Sequence, residues 1–271
     1  MEKLEGRVAV VTGGASGIGL GIARAFARAG SRLAVLDVED AALAAASEGL
    51  ARDGAEVIGL RADVSDPASL EAAAERVVAR FGRVDVLVNN AGVLVTGPIV
   101  ESTAKDWSWL FGVNVLGVAH GVRAFVPRIR AHGEGGHVVN TASVVGLAPL
   151  PGFGIYGATK FAVVALSETL RAELAPEGIG VSVLCPGGVR TRIHEATRNR
   201  PAALGGPAPA AAATGAVVEA GMDPDAVGER VVRAVRRNDL YVLTHPEFRA
   251  LSAARMQGIL DAFDRAAAEP A

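Results

Sequence analysis

Short unbroken apolar runs alternate along this chain with longer stretches in which apolar residues recur every three or four positions. The runs are RVAVVTG (7–13), RLAVLDV (32–38), EVIGLRADV (56–64), VDVLVNNAG (84–92), GHVVNTAS (136–143), GVSVLCPG (180–187) and LYVLTH (240–245). They are near-continuous rather than alternating, as strands buried on both faces require. The periodic stretches predict helices over 17–30, 40–53, 67–81, 103–131, 156–175 and 223–237. Ser65-Asp66-Pro67 and Asp223-Pro224 place a proline in the first helical turn after a capping side chain, and Gly30, Gly54 and Gly82 close helices. This order predicts an α/β fold, a doubly wound parallel sheet with helices on both faces, in a single domain spanning 1–271. Ligands of such sheets bind beyond the carboxyl ends of the strands, so the residues just past each run are the candidates for chemistry.

One segment breaks the alternation. Residues 197–222, TRNRPAALGGPAPAAAATGAVVEAGM, are rich in Ala, Gly and Pro. A long insertion of that kind is either a surface excursion or a lid over a ligand, and local pattern leaves both readings open.

Composition removes several classes of function. The formal net charge is −2, without the basic excess that nucleic acid or an acidic membrane surface would demand. No run of about 18 consecutive apolar residues occurs, and the N-terminus enters a strand without the apolar stretch of a signal peptide. The lone Cys185 excludes an internal disulfide and reads as an inert buried thiol in a reducing compartment. A cytoplasmic protein with no nucleic-acid or membrane partner is expected. Histidines 120, 132, 137, 194 and 245 show no metal-ligand spacing, so no metal is expected.

The candidate chemistry sits where the topology puts it. TGGASGIG (12–19) follows the first strand and opens a helix; Gly13, Gly17 and Gly19 suit close approach of a pyrophosphate to a helix N-terminus. The spacing is G-x-x-x-G-x-G, which departs from the general G-x-G-x-x-G fingerprint. Asp37 ends the second strand and can accept from adenosine ribose hydroxyls, or serve as a helix cap. Val38, Glu39 and Asp40 behind it supply no cation for a 2′-phosphate, which favours NAD over NADP. Asp63 and Val64 can meet an adenine edge, and NNAG (89–92) makes a small-residue turn beside a cofactor.

The chain holds three lysines against 24 arginines, yet Lys160 follows Tyr156, one of two tyrosines, by four residues. On a helix these two share a face. A free tyrosine has a pKa of about 10, so basic work near neutrality needs a downward shift equivalent to roughly 3–4 kcal/mol. A neighbouring ammonium supplies part of it. Ser143, past the fifth strand, can reach the same crevice. Asn114 lies inside a helical run where an amide has no propensity advantage, which suggests a polar task such as holding a water behind Lys160.

Taken together, TGGASGIG, Asp63-Val64, NNAG, Asn114, Ser143, YGATK and PGGVRT (186–191) closely resemble the short-chain dehydrogenase/reductase family over about residues 5–245. The resemblance implies a Rossmann-type sheet of about seven parallel strands and a homodimer or homotetramer. It implies catalytic roles for Asn114, Ser143, Tyr156 and Lys160: acid/base work by Tyr156, ribose binding by Lys160, carbonyl polarisation by Ser143, a proton relay through Asn114. It further implies NAD contacts from Gly13, Ser16, Gly17, Ile18, Gly19, Asp37, Asp63, Val64, Asn90, Ala91, Gly92, Tyr156 and Lys160, and from Pro186, Gly187, Val189 and Thr191. The segment about 190–222 becomes the expected lid, and 246–271 an extension past the usual end of the fold. GVNVLGVAHGVRAFVPRI, EATRNRPA and DLYVLTHPEFR are similar to the subgroup of bacterial aryl-ether Cα-dehydrogenases. The expected activity is NAD-dependent interconversion of a secondary alcohol and its ketone. The expected substrate is bulky and hydrophobic or aryl, held by Val145, Phe153 and the lid. The rival readings are a dinucleotide-binding regulator without turnover, and an enoyl reductase or epimerase on the same fold.

Overall fold

The computed structural model describes residues 1–209 and 212–269. Parts of the expected lid and of the C-terminal extension, residues 210–211 and 270–271, lie outside the described residues. Seven strands form: β1 (Val8–Thr12), β2 (Arg32–Asp37), β3 (Val57–Arg61), β4 (Val86–Asn89), β5 (Gly136–Thr141), β6 (Ile179–Cys185) and β7 (Tyr241–Leu243). All pair in parallel, in the order β3-β2-β1-β4-β5-β6-β7. The chain therefore reverses its direction of winding between β1 and β4, which opens a crevice beyond their carboxyl ends.

Why the runs are continuous rather than alternating follows from the two layers around the sheet. Val8 and Val10 of β1 pack with Leu70, Val77, Phe125 and Ile129 on one face. Ala9 and Val11 pack with Ile22, Phe26, Val227 and Val231 on the other. Both faces are dry, so both sets of side chains are apolar. The first layer comprises α3 (Pro67–Phe81), α5 (Gly117–Arg130) and α6 (Gly154–Leu174); the second includes α1 (Gly17–Arg28), α2 (Asp40–Arg52) and α8 (Pro224–Arg237). Asp66 caps α3 by accepting from the Ala68 amide, and Asp223 caps α8 through the Asp225 amide.

The helix expected over 103–131 is continuous but not uniform. It runs as α4 (Ala104–Phe111), a π-helical turn (Gly112–Leu116) and α5. By length and composition Ala104–Arg130 could cross a membrane, with a mean hydropathy of 1.4 in its most apolar stretch. Half of that stretch is buried in the fold, where the helix packs on α3 and α6.

The segment 197–222 is more ordered than its composition suggests. A 3₁₀ turn at Ile193–Asn199 leads into it, and it contains a second at Ala202–Leu204 and the helix α7 (Ala212–Glu219). The extension forms α9 (Arg249–Ala268), whose Leu251, Met256, Ile259, Leu260 and Phe263 are exposed. At the edge of the sheet opposite the crevice, the fully buried Asp85 accepts from the Val8 amide at 2.9 Å and pairs with Arg7 at 2.8 Å and Arg83 at 2.6 Å.

Candidate active site

The turn between β1 and α1 is built by close approach. Gly13 has φ +60°, and a Cβ there would lie 2.8 Å from the Ala91 Cα; a Cβ on Gly19 would lie 2.1 Å from the Gly13 carbonyl oxygen. Gly19 thus seats α1 against the turn and does not itself line the crevice. Asn90 secures the far wall, its Nδ2 donating to the Thr12 and Gly13 carbonyls at 3.1 and 3.2 Å. Ser16 occupies the cap position of α1 without a side-chain capping bond, and the first turn holds no acidic residue. That N-terminus keeps its amides and partial positive charge for an anion.

Gly13, Ser16, Gly17, Ile18, Asp37, Asp63, Val64, Asn90, Ala91, Gly92, Tyr156, Lys160, Pro186 and Thr191 line one cleft. Asp37 holds the turn together, accepting from the Ala15 amide at 3.1 Å and, through its other oxygen, from the Val38 and Glu39 amides at 2.8 and 3.1 Å. The capping position of α2 falls to Glu39, not to Asp37. Asp63 accepts from both the amide and the hydroxyl of Ser65. Gly187 turns away: its amide donates to Thr244 Oγ1 and His245 Nδ1. Val189 is buried and bridges to Met222, through the Arg190 amide and the Gly188 carbonyl, which leaves its own N–H outside the bridge.

Tyr156 and Lys160 stand on the first turns of α6, both buried, with Lys160 Nζ 5.4 Å from the centre of the Tyr156 ring. Nζ donates to the Thr141 carbonyl at 2.9 Å. Ser143 caps the short turn Val144–Gly146, and its hydroxyl donates to the Pro186 carbonyl at 3.3 Å. Asn114 sits in the π-helical turn and is 1 % exposed. Its Oδ1 accepts from the Val93 amide at 2.8 Å; its Nδ2 donates to the Val93 carbonyl and to Thr159 Oγ1, both at 3.0 Å. The amide expected to hold a water is thus anchored directly to protein. Its Oδ1 and Lys160 Nζ nevertheless converge: a Cβ on Gly92 would lie 3.4 Å from one and 3.5 Å from the other.

The protonation states differ from those the i, i+4 spacing suggests. Burial pushes the Tyr156 phenol up to about 12, and a hydrogen bond with Ser143 only partly opposes it. Burial likewise pulls the Lys160 ammonium down to about 8. The downward shift that basic work near neutrality needs is therefore absent from the protein alone, where removing a phenolate from water outweighs the Ser143 hydrogen bond. Cys185, fully buried, has its thiol pushed up to about 12 by the same cause and is inert.

The apolar wall also differs from expectation. Val93, Trp109, Val113, Ile193, Ala196 and Leu204 line the cleft. Val145 and Phe153 belong to the same apolar cluster, with Phe153 6.4 Å from Tyr156 ring to ring, but neither lines the cleft. Sequence reasoning also missed Thr159, Glu39 and Arg198. Thr159 precedes Lys160 and donates to the Tyr156 carbonyl at 2.7 Å; the Y-x-x-T-K spacing carried that signal. Arg198 reaches Glu39 from the 3₁₀ turn Ile193–Asn199, where Asn199 Nδ2 also donates to Glu39 at 2.8 Å. Val38, Glu39 and Asp40 themselves supply no cation, as the sequence shows, but tertiary folding brings Arg198 onto Glu39.

These residues fit a dinucleotide. The open N-terminus of α1 suits its pyrophosphate, and the Gly17 face is cradled by Thr191, whose Cγ2 would lie 2.9 Å from a Cβ placed there. Thr141 Oγ1 and Arg198 Nε, both beside the cleft, are buried and have no hydrogen-bond partner among the described residues.

Comparison with known proteins agrees with that fit. Residues 7–202 match the short chain dehydrogenase family. A C alpha-dehydrogenase of Sphingobium sp. strain SYK-6 is 36% identical over 267 residues, covering 96% of this chain and 88% of that protein. Among solved structures, a short chain dehydrogenase/reductase from Burkholderia phymatum in complex with NAD is 43% identical, with a TM-score of 0.91 over 96% of each chain. The apo form of LigO from Sphingobium sp. strain SYK-6 is 39% identical, with a TM-score of 0.86 over 100% of this chain and 93% of that one.

Proposed function

This chain belongs to the short-chain dehydrogenase family, and from that premise we propose that it is an NAD-dependent oxidoreductase interconverting a secondary alcohol and its ketone. What carries the reading is that Tyr156 and Lys160 line the same cleft as the glycine-rich turn, beyond the carboxyl ends of the strands, with Ser143 in hydrogen-bonding reach of Tyr156 just behind the lining. The likeness to a C alpha-dehydrogenase and to an NAD complex supports both the reaction and the choice of cofactor. Trp109, Val113, Ile193 and Leu204 make the substrate side apolar, which favours a bulky hydrophobic or aryl alcohol.

The dinucleotide, when bound, accepts or supplies the hydride. Gly13, Ser16, Gly17 and Ile18 would hold its pyrophosphate, Asp37 its adenosine ribose, and Thr191 with Val189 its carboxamide end. Ser143 donates to the substrate oxygen and orients it. The Tyr156 hydroxyl exchanges the proton of that oxygen, as base in oxidation and as acid in reduction. Lys160 is the compact cation nearest the phenol and stabilises the phenolate while that proton is away. The convergence of Asn114 Oδ1 and Lys160 Nζ over Gly92 supports a path that passes the proton outward. The exposed apolar face of α9 favours a homo-oligomer. The test is reduction of NAD+ over a panel of aryl and alkyl secondary alcohols, with NADP+ in parallel. No turnover on any member by a protein that binds NAD+ would turn the reading toward a regulator.

A further inference from the structure

At the adenosine end of the cleft, two carboxylates and one guanidinium meet from distant parts of the chain. Asp37 ends β2, Glu39 stands two residues later, and Arg198 comes from the 3₁₀ turn Ile193–Asn199; all three line the cleft. Arg198 is committed at both terminal nitrogens. Nη2 pairs with Glu39, and Nη1 donates to the Arg192 and Glu195 carbonyls at 3.2 and 3.1 Å. Asn199 adds a second donor to the same Glu39 oxygen at 2.8 Å. Only Nε remains, and it is buried without a partner among the described residues.

A buried N–H without an acceptor is expensive, so its satisfaction by a ligand oxygen is favoured. The charge environment selects which oxygen. Glu39 neutralises the guanidinium, and Asp37, two residues earlier, adds a second carboxylate to the same cleft. Although burial works against ionisation, Arg198 and Asn199 hold the Glu39 carboxyl below its ordinary range, so it stays anionic. A neutral hydroxyl is therefore accepted there more readily than a phosphate dianion.

We propose that Arg198 is a cofactor-specificity residue delivered by the lid: held by Glu39, it offers Nε–H to an adenosine ribose hydroxyl and withholds its charge from a 2′-phosphate. This rests on the NAD-dependent reading above and extends it. Selectivity then resides in a pair spanning sheet and lid, not in Asp37 alone. The same pair ties the lid to the cofactor half of the cleft, so dinucleotide binding and lid placement are coupled.

The test is calorimetric binding of NAD+ and NADP+ to the whole chain, with each variant's thermal melt confirming its fold. Wild type is expected to bind NAD+ at least tenfold more tightly than NADP+. Glu39→Gln frees the guanidinium and is expected to narrow that ratio at least tenfold, chiefly through tighter NADP+ binding. Arg198→Gln is expected to weaken NAD+ about tenfold, equivalent to about 1.4 kcal/mol, and Arg198→Lys, which pairs with Glu39 but lacks Nε–H, to weaken it as much. In the double variant Glu39→Gln/Arg198→Gln the gain in NADP+ affinity disappears. An unchanged ratio in Glu39→Gln, a gain that persists in the double variant, or wild-type NAD+ affinity in Arg198→Gln overturns the inference alone. A wild-type protein that binds neither dinucleotide, or prefers NADP+, overturns the cofactor reading itself.

Discussion

Asn114 and Thr159 are joined by a buried hydrogen bond of 3.0 Å, from the amide nitrogen of one to the hydroxyl of the other. It links the π-helical turn to the helix that carries Tyr156 and Lys160, while Asn114 also clamps both polar groups of the Val93 backbone. The Val93 loop, the π-helical turn and α6 are therefore one hydrogen-bonded unit. π-helical turns are frequent at functional sites, and this one directs Asn114 onto the Val93 backbone and Thr159.

Thr159→Val keeps the volume and removes the hydroxyl, leaving the Tyr156 carbonyl and one Asn114 proton without that partner. The expected cost is about 1–3 kcal/mol of stability and roughly tenfold in kcat through misplacement of the phenol. KM for the cofactor is expected to stay within about twofold. Thr159→Ser should recover both losses. Denaturant melts beside steady-state kinetics check this, and a Val variant with wild-type kcat would show that the link is only structural.

Tyr156→Phe deletes only the proton-exchanging group from a ring that packs in the apolar cluster. Turnover is expected to fall at least 10²- to 10⁴-fold, with NAD+ affinity by calorimetry unchanged. Turnover within tenfold of wild type removes the phenol from the reaction.

The two protonation shifts set the pH profile. With the phenol near 12, the protein at neutral pH holds Tyr156 as an acid, ready for reduction. Oxidation needs the phenolate, so its kcat/KM should rise from pH 6 to about 8, above which Lys160 loses the charge that stabilises it, while reduction stays level through neutrality and falls only in alkali. Initial rates in both directions across that range decide it; an acidic optimum for oxidation contradicts the assignment.

Lys160 adds a stability signature. Its folded pKa, about 8, lies below the ordinary 10.5 because of burial. Below pH 8 both states are protonated and the folded one bears the burial penalty. Between 8 and 10.5 the unfolded chain binds more protons, so stability rises with pH; above 10.5 the effect is complete. Tyr156, shifted upward, acts in the opposite sense only above pH 10. Lys160→Met is expected to flatten the slope between pH 8 and 10 and to raise stability at pH 7 by about 1–3 kcal/mol. It should also abolish turnover. Lys160→Arg keeps the charge but brings a planar fork to a site where one ammonium meets the Thr141 carbonyl, and most activity should be lost. Urea melts at pH 7 and 9.5 with parallel assays test both variants.

Asp85, at the far edge of the sheet, is expected to matter for folding alone. Asp85→Ala strips Arg7 and Arg83 of their buried partner and the Val8 amide of its acceptor. The expected loss is about 3–5 kcal/mol, with kcat at temperatures below the melt unchanged. A fall in kcat without a fall in melting temperature would contradict a purely structural role.

Much of the fold was legible because it rests on short-range pattern. Val8–Thr12 reads as a doubly buried strand from its own five residues, and Asp66-Pro67 announces the start of α3. Tyr156 and Lys160 share a face simply because 3.6 residues make a turn. The lid was harder. Its Ala, Gly and Pro content disguises two 3₁₀ turns and a helix, and its working residues, Ile193, Ala196, Arg198 and Leu204, cluster at its start. Val145 and Phe153 were expected in the substrate wall, whereas they pack in the apolar cluster that holds Tyr156 and do not line the cleft.

By itself, then, the sequence determined the alternation of strands and helices, the glycine-rich turn, and the pairing of Tyr156 with Lys160, since each is written within one or two turns of chain. Only the tertiary structure decided the strand order that gathers residues 13, 37, 92, 156 and 191 around one cleft. It also decided the meeting of Glu39 with Arg198 across 159 positions and the direction in which the Tyr156 phenol shifts. Those outcomes depend on which distant groups exclude water from a site, and desolvation belongs to the assembled fold rather than to any stretch of it.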